Sequence, residues 1–410
     1  MTSKKIQNIS PKTWLIAVAS FALILRIVFV LATPNIGSPA SMDAGTYHSI
    51  AVNLLEGRGY SEDGQNPSIF VAPLYPLFIF VVYKFFGVHP MLIELIQCFL
   101  GVGMALLTLL IARRFFSQTV SLIAFVVVSF FPDLFVISTY MYTESLFVFL
   151  FLALIYTALL VAEKATLKRI VIAGIVGGLA TLTRGVTMLF PFVFFIALLF
   201  RFNLLKTTRT VVLYSLFFVL PIIPWTIRNV TTFHTFVPIA VGTGDVLWTG
   251  NYLPFDGKYN YDKTMALMDS MTVGMNQVDR DAKLVAEAKK NMAAEPAKTL
   301  WLMVRKFFRF WTWVYESAPS GQKRTASSPV KLVLEIAYYP VLILFLAGLI
   351  ITRKRWKEFV LIDLLLLYYA SLHAVMLVVP RYRIPVIPLM VIFAAAAVGW
   401  LIDRYNVRRT

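Results

Sequence analysis

Three acidic side chains beside apolar segments are the strongest candidates for chemistry in this sequence. Asp43 follows the first apolar segment, and Asp133 and Glu144 stand on either side of the turn between the third and the fourth. A carboxylate at a membrane surface can act as a general base that takes a proton from a hydroxyl group. Aspartate is also a strong helix N-cap, worth about 1 kcal/mol, and acids in a first helical turn complement the helix dipole. Each acid therefore has a structural interpretation beside the catalytic one.

Two of these acids on the same side of a membrane would form a paired acidic site. Asp133 or Glu144 could join Asp43 there, and such a pair could bind a cation through its carboxylate oxygens. A divalent cation is the cofactor that this pairing suggests. The sequence itself requires no cofactor and leaves the metal unknown.

Four arginines stand at span ends where lysine and arginine are usually avoided. They are Arg184, Arg228, Arg381 and Arg383. Arginine within a span costs about 2.5–3.5 kcal/mol on insertion scales, so a compensating anion is expected. A guanidinium group binds phosphate through two parallel hydrogen bonds. We therefore predict that the four converge on a lipid phosphate, with snorkelling to outer head groups as the alternative.

The amino-acid composition indicates that the segments carrying these residues lie in a membrane. The 410 residues are 59% hydrophobic and only 14% charged, with a mean hydropathy of +0.76. The net charge of +17 comes mainly from short loops between apolar segments, as the positive-inside rule describes, and no nucleic-acid motif accompanies it. Cys98 is the only cysteine, which excludes disulfides and cysteine-based zinc sites.

The apolar segments predict an all-α polytopic membrane protein with about ten transmembrane helices in one domain, 1–410. The predicted spans are 14–33, 91–112, 118–137, 144–162, 170–184, 186–201, 210–226, 330–351, 358–379 and 384–403. The first is read as a retained signal anchor, because it is longer than a usual signal-peptide core. Basic residues from Lys4 and Lys5 to the tail Arg404, Arg408 and Arg409 place both termini in the cytoplasm.

Two long segments then face the periplasm or the cell exterior. The first, 34–90, contains an amphipathic helix over 42–56 and an aromatic run over 72–87 that is too short to span comfortably. The second, 227–329, contains a polar helix over 276–294. It is followed by an aromatic and basic interfacial helix over 301–311.

Several of these residues occur in an order that resembles GT-C glycosyltransferases. The closest branch is that of the bacterial relatives of protein O-mannosyltransferases and lipid A aminoarabinose transferases. The resemblance rests on Asp43 with Tyr47, Ala51, Leu54, Leu55, Gly57 and Gly59, on Pro73-Leu74-Tyr75-Pro76-Leu77, on Leu182-Thr183-Arg184-Gly185, on Pro224-Trp225-Thr226-Ile227-Arg228-Asn229, on Trp248 with Gly250-Asn251, and on Arg381-Tyr382-Arg383-Ile384-Pro385 with Pro388. The series covers nearly the whole chain.

The resemblance implies that Asp43 is the catalytic base and that Glu144 or Asp133 is the second acid. Many members carry two adjacent acids in the first outer loop, whereas Ala44 follows Asp43 here. The extra domains of the aminoarabinose and eukaryotic mannose enzymes are missing, so the acceptor is not implied. The residues predicted to bind substrate are Tyr47, His48, Tyr75, Trp248, Asn251 and Tyr382.

The predicted function is therefore transfer of a hexose or pentose from a polyprenyl-phosphate donor to an acceptor hydroxyl. Single displacement would invert the anomeric centre. We expect the active site on the periplasmic or extracellular side of a bacterial inner membrane, with a lipid, glycan or protein as acceptor. The alternatives are a transporter or flippase of a lipid-linked or amphipathic substrate, which should show midplane charges and repeats, and a structural partner of another enzyme.

Overall fold

The computed structural model describes residues 11–33, 42–258, 261–312 and 329–407. The helices run in chain order as α1 (Pro11–Ala32), α2 (Met42–Leu55), α3 (Leu74–Phe86), α4 (Pro90–Ala112), α5 (Gln118–Phe130), α6 (Pro132–Val136), α7 (Thr143–Glu163), α8 (Leu167–Thr183), α9 (Phe190–Leu199), α10 (Leu204–Val219), α11 (Ile223–Phe233), α12 (Thr243–Asn251), α13 (Tyr261–Met271), α14 (Gln277–Ala294), α15 (Pro296–Thr312), α16 (Pro329–Thr352), α17 (Trp356–Val375) and α18 (Ile387–Val407). Within these ranges no strand is formed, so the predicted all-α class is confirmed.

Some predicted features lie outside the described residues. These are Lys4, Lys5, Arg408, Arg409 and the parts of the two long segments at 34–41 and 313–328.

The predicted spans correspond to helices, although not all are long enough to cross a bilayer alone. Five helical stretches have the length and hydropathy of a span, and two bent pairs, α5 with α6 and α10 with α11, bring the number to seven. Helix α8 has 17 residues, about 25 Å, and α9 is shorter still, against a hydrocarbon core of about 30 Å. The chain is thus a multi-pass membrane protein whose spans differ in length.

One of the five stretches, 332–375, is a hairpin of two spans. Tyr338 near the start of α16 lies against Arg383, while His373 near the end of α17 packs on Tyr382. Since residues 382 and 383 are neighbours, α16 and α17 must run in opposite directions. They reverse at Arg353–Arg355, a short 3-10 turn of three basic residues.

The helix ends define two faces of the bundle. The site face contains the starts of α2 and α7, the end of α8 and the 3-10 segment Pro380–Val386, because Asp43, Glu144, Arg184 and Arg381 are in contact there. The opposite face contains the ends of α4, α7 and α9 and the start of α17, which are joined by contacts between Arg114 and Glu163 and between Arg201 and the Glu358 carbonyl.

Polar caps fix where the helices start on the opposite face. The side chains of Ser117, Thr166 and Asn203 each accept a hydrogen bond from the backbone N–H three residues ahead. Such caps satisfy amide groups that the first helical turn leaves unpaired. The same short loops that carry the basic residues therefore also set the register of α5, α8 and α10.

A proline breaks the third span just below the site face. Helices α5 and α6 meet at 56°, because Pro132 has no N–H to donate and cannot continue the hydrogen-bond ladder. Arg26 of α1 donates from Nη1 to the carbonyl of Ser129 at 2.7 Å and so satisfies a group freed by the bend. The bend turns the chain towards the start of α7, where Glu144 lies.

The long segments fold as helices over the site face. The first loop forms α2 and α3, which pack through Tyr47 and Tyr75 with ring centroids 5.1 Å apart. The second forms α12 to α15, in which Leu247, Leu284 and Ala288 make a small buried cluster. Helix α3 has 13 residues and α15 exposes Trp301 and Phe308, as expected for helices at the surface of a membrane rather than across it.

Candidate functional site

Four charged side chains form a continuous chain of ion pairs on the site face. Arg381 Nη1 lies 2.7 Å from Asp43 Oδ2, and Arg381 Nε lies 3.9 Å from Glu144 Oε1. Arg184 Nη1 donates to the same Glu144 oxygen at 2.6 Å. The order is therefore Asp43, Arg381, Glu144 and Arg184, with alternating charge and Glu144 shared between two arginines.

The four residues come from helix ends that are far apart in sequence. Asp43 lies in the first turn of α2 and Glu144 in the first turn of α7, where a carboxylate also complements the helix dipole. Arg184 is the residue that ends α8, and Arg381 lies in the 3-10 segment before α18. The site thus depends on the relative placement of α2 and three spans.

The pair of Asp43 and Arg381 is more exposed than the pair of Glu144 and Arg184. The side chains are 4% exposed at Glu144, 20% at Arg184, 37% at Asp43 and 40% at Arg381. The inner pair is held in a region of low dielectric, where a charge needs a partner. The outer pair can meet a ligand that arrives from the membrane surface.

Aromatic rings support both guanidinium groups. The Tyr382 ring centroid lies 5.4 Å from Arg184 Cζ and 5.7 Å from Arg381 Cζ, so that one ring serves both. Phe147 faces Arg184 at 5.7 Å and Tyr142 faces Arg381 at 5.5 Å. Cations near ring faces gain electrostatic stabilisation and lose freedom of movement.

Two buried tyrosines, Tyr47 and Tyr75, pack beside Asp43. Tyr47 is buried edge-on against Tyr75, whose hydroxyl donates to Gln97 Oε1 at 2.8 Å. Burial and the nearby carboxylates Asp43 and Glu144 raise the pKa of Tyr47 well above its ordinary value. The Tyr47 hydroxyl therefore stays protonated and is a hydrogen-bond donor next to the acids.

His48 belongs to a neighbouring polar pair rather than to the ion-pair chain. Its Nδ1 lies 2.9 Å from the Tyr83 hydroxyl, and the ring is half-buried. Burial lowers the pKa of His48 below its ordinary value, so the ring is neutral near pH 7. His48 thus connects α2 to α3 and does not add positive charge to the site.

Comparison with known proteins identifies this arrangement of helices. The family described as dolichyl-phosphate-mannose-protein mannosyltransferase matches residues 70–227, and no curated protein matches the chain in sequence. The structure is similar to the oligosaccharyltransferase AglB from Archaeoglobus fulgidus in complex with an inhibitory peptide and a dolichol-phosphate, with a TM-score of 0.60 and 15% identity over 97% of this chain and 51% of that one. The chain has the fold of GT-C membrane glycosyltransferases.

Two further structures are similar to this chain. The apo form of the Archaeoglobus fulgidus oligosaccharyltransferase gives a TM-score of 0.59 with 14% identity, over 97% of this chain and 52% of that one. ArnT from Cupriavidus metallidurans bound to undecaprenyl phosphate gives 0.48 with 14% identity, over 95% and 78%. The chain therefore spans about half the length of the oligosaccharyltransferases that it matches.

The structure does not place the four predicted arginines in one cluster. Arg228 donates to the backbone carbonyls of Ser68 and Tyr60 and lies among the rings of Trp225, Tyr60 and Phe233. It fastens the first loop to α11. Its role in phosphate binding stays a prediction.

Arg383 is likewise separated from its neighbour Arg381. It is only 3% exposed, donates to the Phe310 carbonyl at 3.0 Å and stacks on Tyr338 at 3.7 Å. Asp133 lies near Arg383 and Tyr338 rather than near Asp43. Glu144, and not Asp133, is therefore the acid that the GT-C fold places with Asp43.

Trp248 and Asn251, both predicted to bind substrate, are internal to the packing of α12. Trp248 is 2% exposed and stacks on Tyr252 at 4.9 Å. Asn251 donates to the carbonyls of Leu247 and Val375. Their positions support the loop that leads to Arg381 instead of lining the ion-pair chain.

The ion-pair chain leaves little space for a metal ion between its two acids. Within residues 11–33, 42–258, 261–312 and 329–407, no group of three or more His, Cys, Asp and Glu side chains could hold an ion. Arg381 already bridges Asp43 and Glu144, so a cation between them would have to displace a guanidinium group.

Sequence reasoning missed the aromatic support of the arginines. Tyr142 and Phe147 flank Glu144 in the sequence, two residues before it and three after. Aromatic residues on both sides of an acid at a span end were the available signal. Lys306, whose Nζ donates to the Gly250 carbonyl at 2.8 Å and is fully buried, was also missed because it lies in a segment predicted only as interfacial.

Proposed function

We propose that this chain transfers a sugar from a polyprenyl-phosphate donor to an acceptor hydroxyl, with Asp43 as the general base. The observation that carries the proposal is the ion-pair chain of Asp43, Arg381, Glu144 and Arg184 at helix ends on one face. An exposed carboxylate and an exposed guanidinium group lie side by side there. The reaction needs this combination, a base for the acceptor and a cation for the donor phosphate.

Arg381 is the proposed ligand of the donor phosphate, with Arg184 behind it. Cleavage of the sugar–phosphate bond converts a phosphodiester into a monoester, which adds up to one negative charge. A guanidinium group stabilises that gain more in the transition state than in the ground state, and this difference accelerates the step. Arg228 and Arg383 have no place in this proposal, since backbone carbonyls occupy them.

The ion pair between Asp43 and Arg381 gives the order of events. A donor phosphate competes with Asp43 for Arg381, because both are anions that a guanidinium group binds. Phosphate binding weakens the hold of Arg381 on Asp43 and makes the carboxylate a better base. Asp43 then takes the proton of the acceptor hydroxyl as its oxygen attacks the anomeric carbon, which inverts that centre.

The lipid nature of the donor is supported by the relatives. The matching family is described by dolichyl-phosphate-mannose, and the similar AglB structure contains a dolichol-phosphate. The site lies at helix ends, where a polyprenyl phosphate would place its head group while its tail stays among the spans. The basic loops on the opposite face favour an orientation with the site on the periplasmic or extracellular side.

The test is sugar transfer from radiolabelled polyprenyl-phosphate sugars by membranes that contain wild type or Asp43→Asn. Asparagine has nearly the same size and shape as aspartate but no basic carboxylate, so the variant should fold while proton abstraction is lost. Asp269→Asn is the matched control, because Asp269 is an exposed acid of α13 outside the ion-pair chain. We expect transfer to fall by about 10²- to 10⁴-fold in Asp43→Asn alone.

Two results would contradict the proposal. Transfer that persists in Asp43→Asn would leave Asp43 as a structural partner of Arg381. If no labelled sugar is transferred even by wild type, while labelled lipid crosses the bilayer of proteoliposomes, the chain is a transporter.

A further inference from the structure

A cavity of about 300 Å³ opens at the opposite face, at the end of α7 that lies away from Glu144. It lies between the ends of α4, α7 and α9 and the start of α17. Apolar side chains such as Phe115, Leu159 and Ala162 line it, and charged residues stand at its mouth. The volume is within the range of small-molecule sites, about 300–1,000 Å³.

One arginine at this mouth differs from the others. Arg114 is paired with Glu163, and Arg355, beside the cavity, bonds both carboxylate oxygens of Glu358. Arg201 donates only from Nη2 to the backbone carbonyl of Glu358 at 3.2 Å, and in the part of the chain that the structure describes no carboxylate lies within 4 Å of it. Its remaining N–H groups can bind a ligand.

The charge around the mouth favours an anion. Arg169 lies 3.9 Å from Glu163, so that Arg114, Arg169, Arg201 and Arg355 surround only Glu163 and Glu358. Each glutamate is already matched by a neighbouring arginine, so two of the four cations are in excess, and Arg201 is the one of these two that lines the cavity. A phosphate ester is the anion that best fits a guanidinium group with free donors, because its oxygens accept two parallel hydrogen bonds.

The walls of the cavity place a second requirement on its ligand. Apolar side chains line the cavity beside its charged rim, and it opens where helices end. A ligand that satisfies both parts has a phosphate head and a hydrocarbon tail. Inorganic phosphate or a soluble sugar phosphate would leave the apolar walls without a partner.

We propose that this cavity is a phospholipid site, in which Arg201 binds the phosphate and part of one acyl chain lies along Phe115 and Ala162. It is separate from the ion-pair chain and does not depend on the proposed transfer reaction. The site would fix a lipid of one leaflet between α9 and the hairpin of α16 and α17. It would thereby stabilise the ends of four helices against one another.

The test is binding of phosphatidylglycerol to the delipidated full chain in detergent, followed by native mass spectrometry. Variants Arg201→Ala and Arg201→Lys are compared with Arg209→Ala, which removes an exposed arginine of α10 outside the cavity. We expect the apparent affinity for the lipid to fall about tenfold in Arg201→Ala and little in Arg209→Ala. Arg201→Lys should recover part of the loss, since it keeps the charge but not the paired donors.

Two results would overturn the proposal. Equal losses in Arg201→Ala and Arg209→Ala would show that lipid binds through general surface charge. If glycerol 3-phosphate competes as strongly as phosphatidylglycerol, the ligand is a soluble phosphate ester and the apolar walls do not contribute.

Discussion

Arg381 and Asp43 form an ion pair in which Nη1 lies 2.7 Å from Oδ2, and the same guanidinium group also faces Glu144. One arginine thereby joins the loop after α1 to the start of α7. The contact has two consequences. It holds α2 in place over the spans, and it couples the charge of the proposed base to the occupancy of the proposed phosphate site.

Arg381→Lys should therefore impair transfer without unfolding the chain. An ammonium group cannot span Asp43 and Glu144 at once, and it offers no planar pair of donors to a phosphate. We expect kcat/KM for the polyprenyl-phosphate sugar to fall about 10²-fold, of the order found when one transition-state donor is removed. Arg305→Lys is the control, because Arg305, on α15, pairs with Asp256 and lies away from the ion-pair chain. An unchanged kcat/KM would exclude Arg381 from donor binding.

Glu144→Gln should destabilise the protein more than its single lost charge suggests. Glu144 is the most buried member of the chain, and the change leaves Arg184 with no carboxylate in a region of low dielectric. Loss of one partner of a buried pair costs about 3–5 kcal/mol. We expect a clear fall of the melting temperature in detergent.

The matched control for this change is Glu295→Gln, which removes the exposed partner of Lys298 on α15. Exposed pairs contribute about 0–1 kcal/mol, so its melting temperature should stay near that of wild type. Equal shifts in the two variants would mean that the pair of Glu144 and Arg184 is no stronger than a surface pair.

The sequence allowed the helices to be predicted and offered Glu144 or Asp133 as the acid beside Asp43, because hydropathy and first-turn acids are local signals. It did not separate the four arginines. Arg228 and Arg383 have the same local pattern as Arg381, a span end with aromatic neighbours. Their partners are backbone carbonyls far along the chain, at Ser68 and Phe310, and only the tertiary structure decides between a carbonyl and a ligand.

Trp248 and Asn251 likewise show that the sequence does not separate a substrate-binding residue from one that packs inside the protein. Both stand in a motif that resembles a substrate-binding segment, and both are buried within α12. Between them, Gly250 occupies a position where the packing leaves no space for a side chain. The C-terminal turn of α12 lies directly against the backbone of residues 375 and 376, five and six positions before Arg381.

Gly250→Ala should consequently destabilise the chain and impair transfer together. A Cβ atom at residue 250 would overlap the Met376 carbonyl oxygen, so the backbone of one segment must move. We expect a cost of about 3 kcal/mol or more, at the upper end for overpacking, and displacement of the loop that carries Arg381. Gly185→Ala is the control, since a Cβ there meets nothing within 4 Å. A stable Gly250→Ala variant with full transfer would contradict the close approach.

Lys306 should make the stability of the protein depend on pH in the alkaline range. Its Nζ donates to the carbonyls of Gly250 and Met376 at 2.8 and 2.9 Å, where no water reaches it. Burial, together with the charge of Arg309, lowers the pKa of Lys306 to about 7 from an ordinary value of 10.5. Between these two values the unfolded chain keeps a proton that the folded chain has released.

The free energy of unfolding should therefore rise with pH above 7, by up to about 1.4 kcal/mol per pH unit. Below pH 7 both states hold the proton, and the full cost of the buried charge is present. Lys306→Met removes this dependence. The advantage of Lys306→Met over wild type in melting temperature should hence shrink between pH 7 and pH 9, whereas Lys289→Met, which changes an exposed lysine of α14, should follow wild type at both values. A difference between Lys306→Met and wild type that is constant over this range would mean that Lys306 keeps its proton through contacts with the four carbonyl oxygens around it.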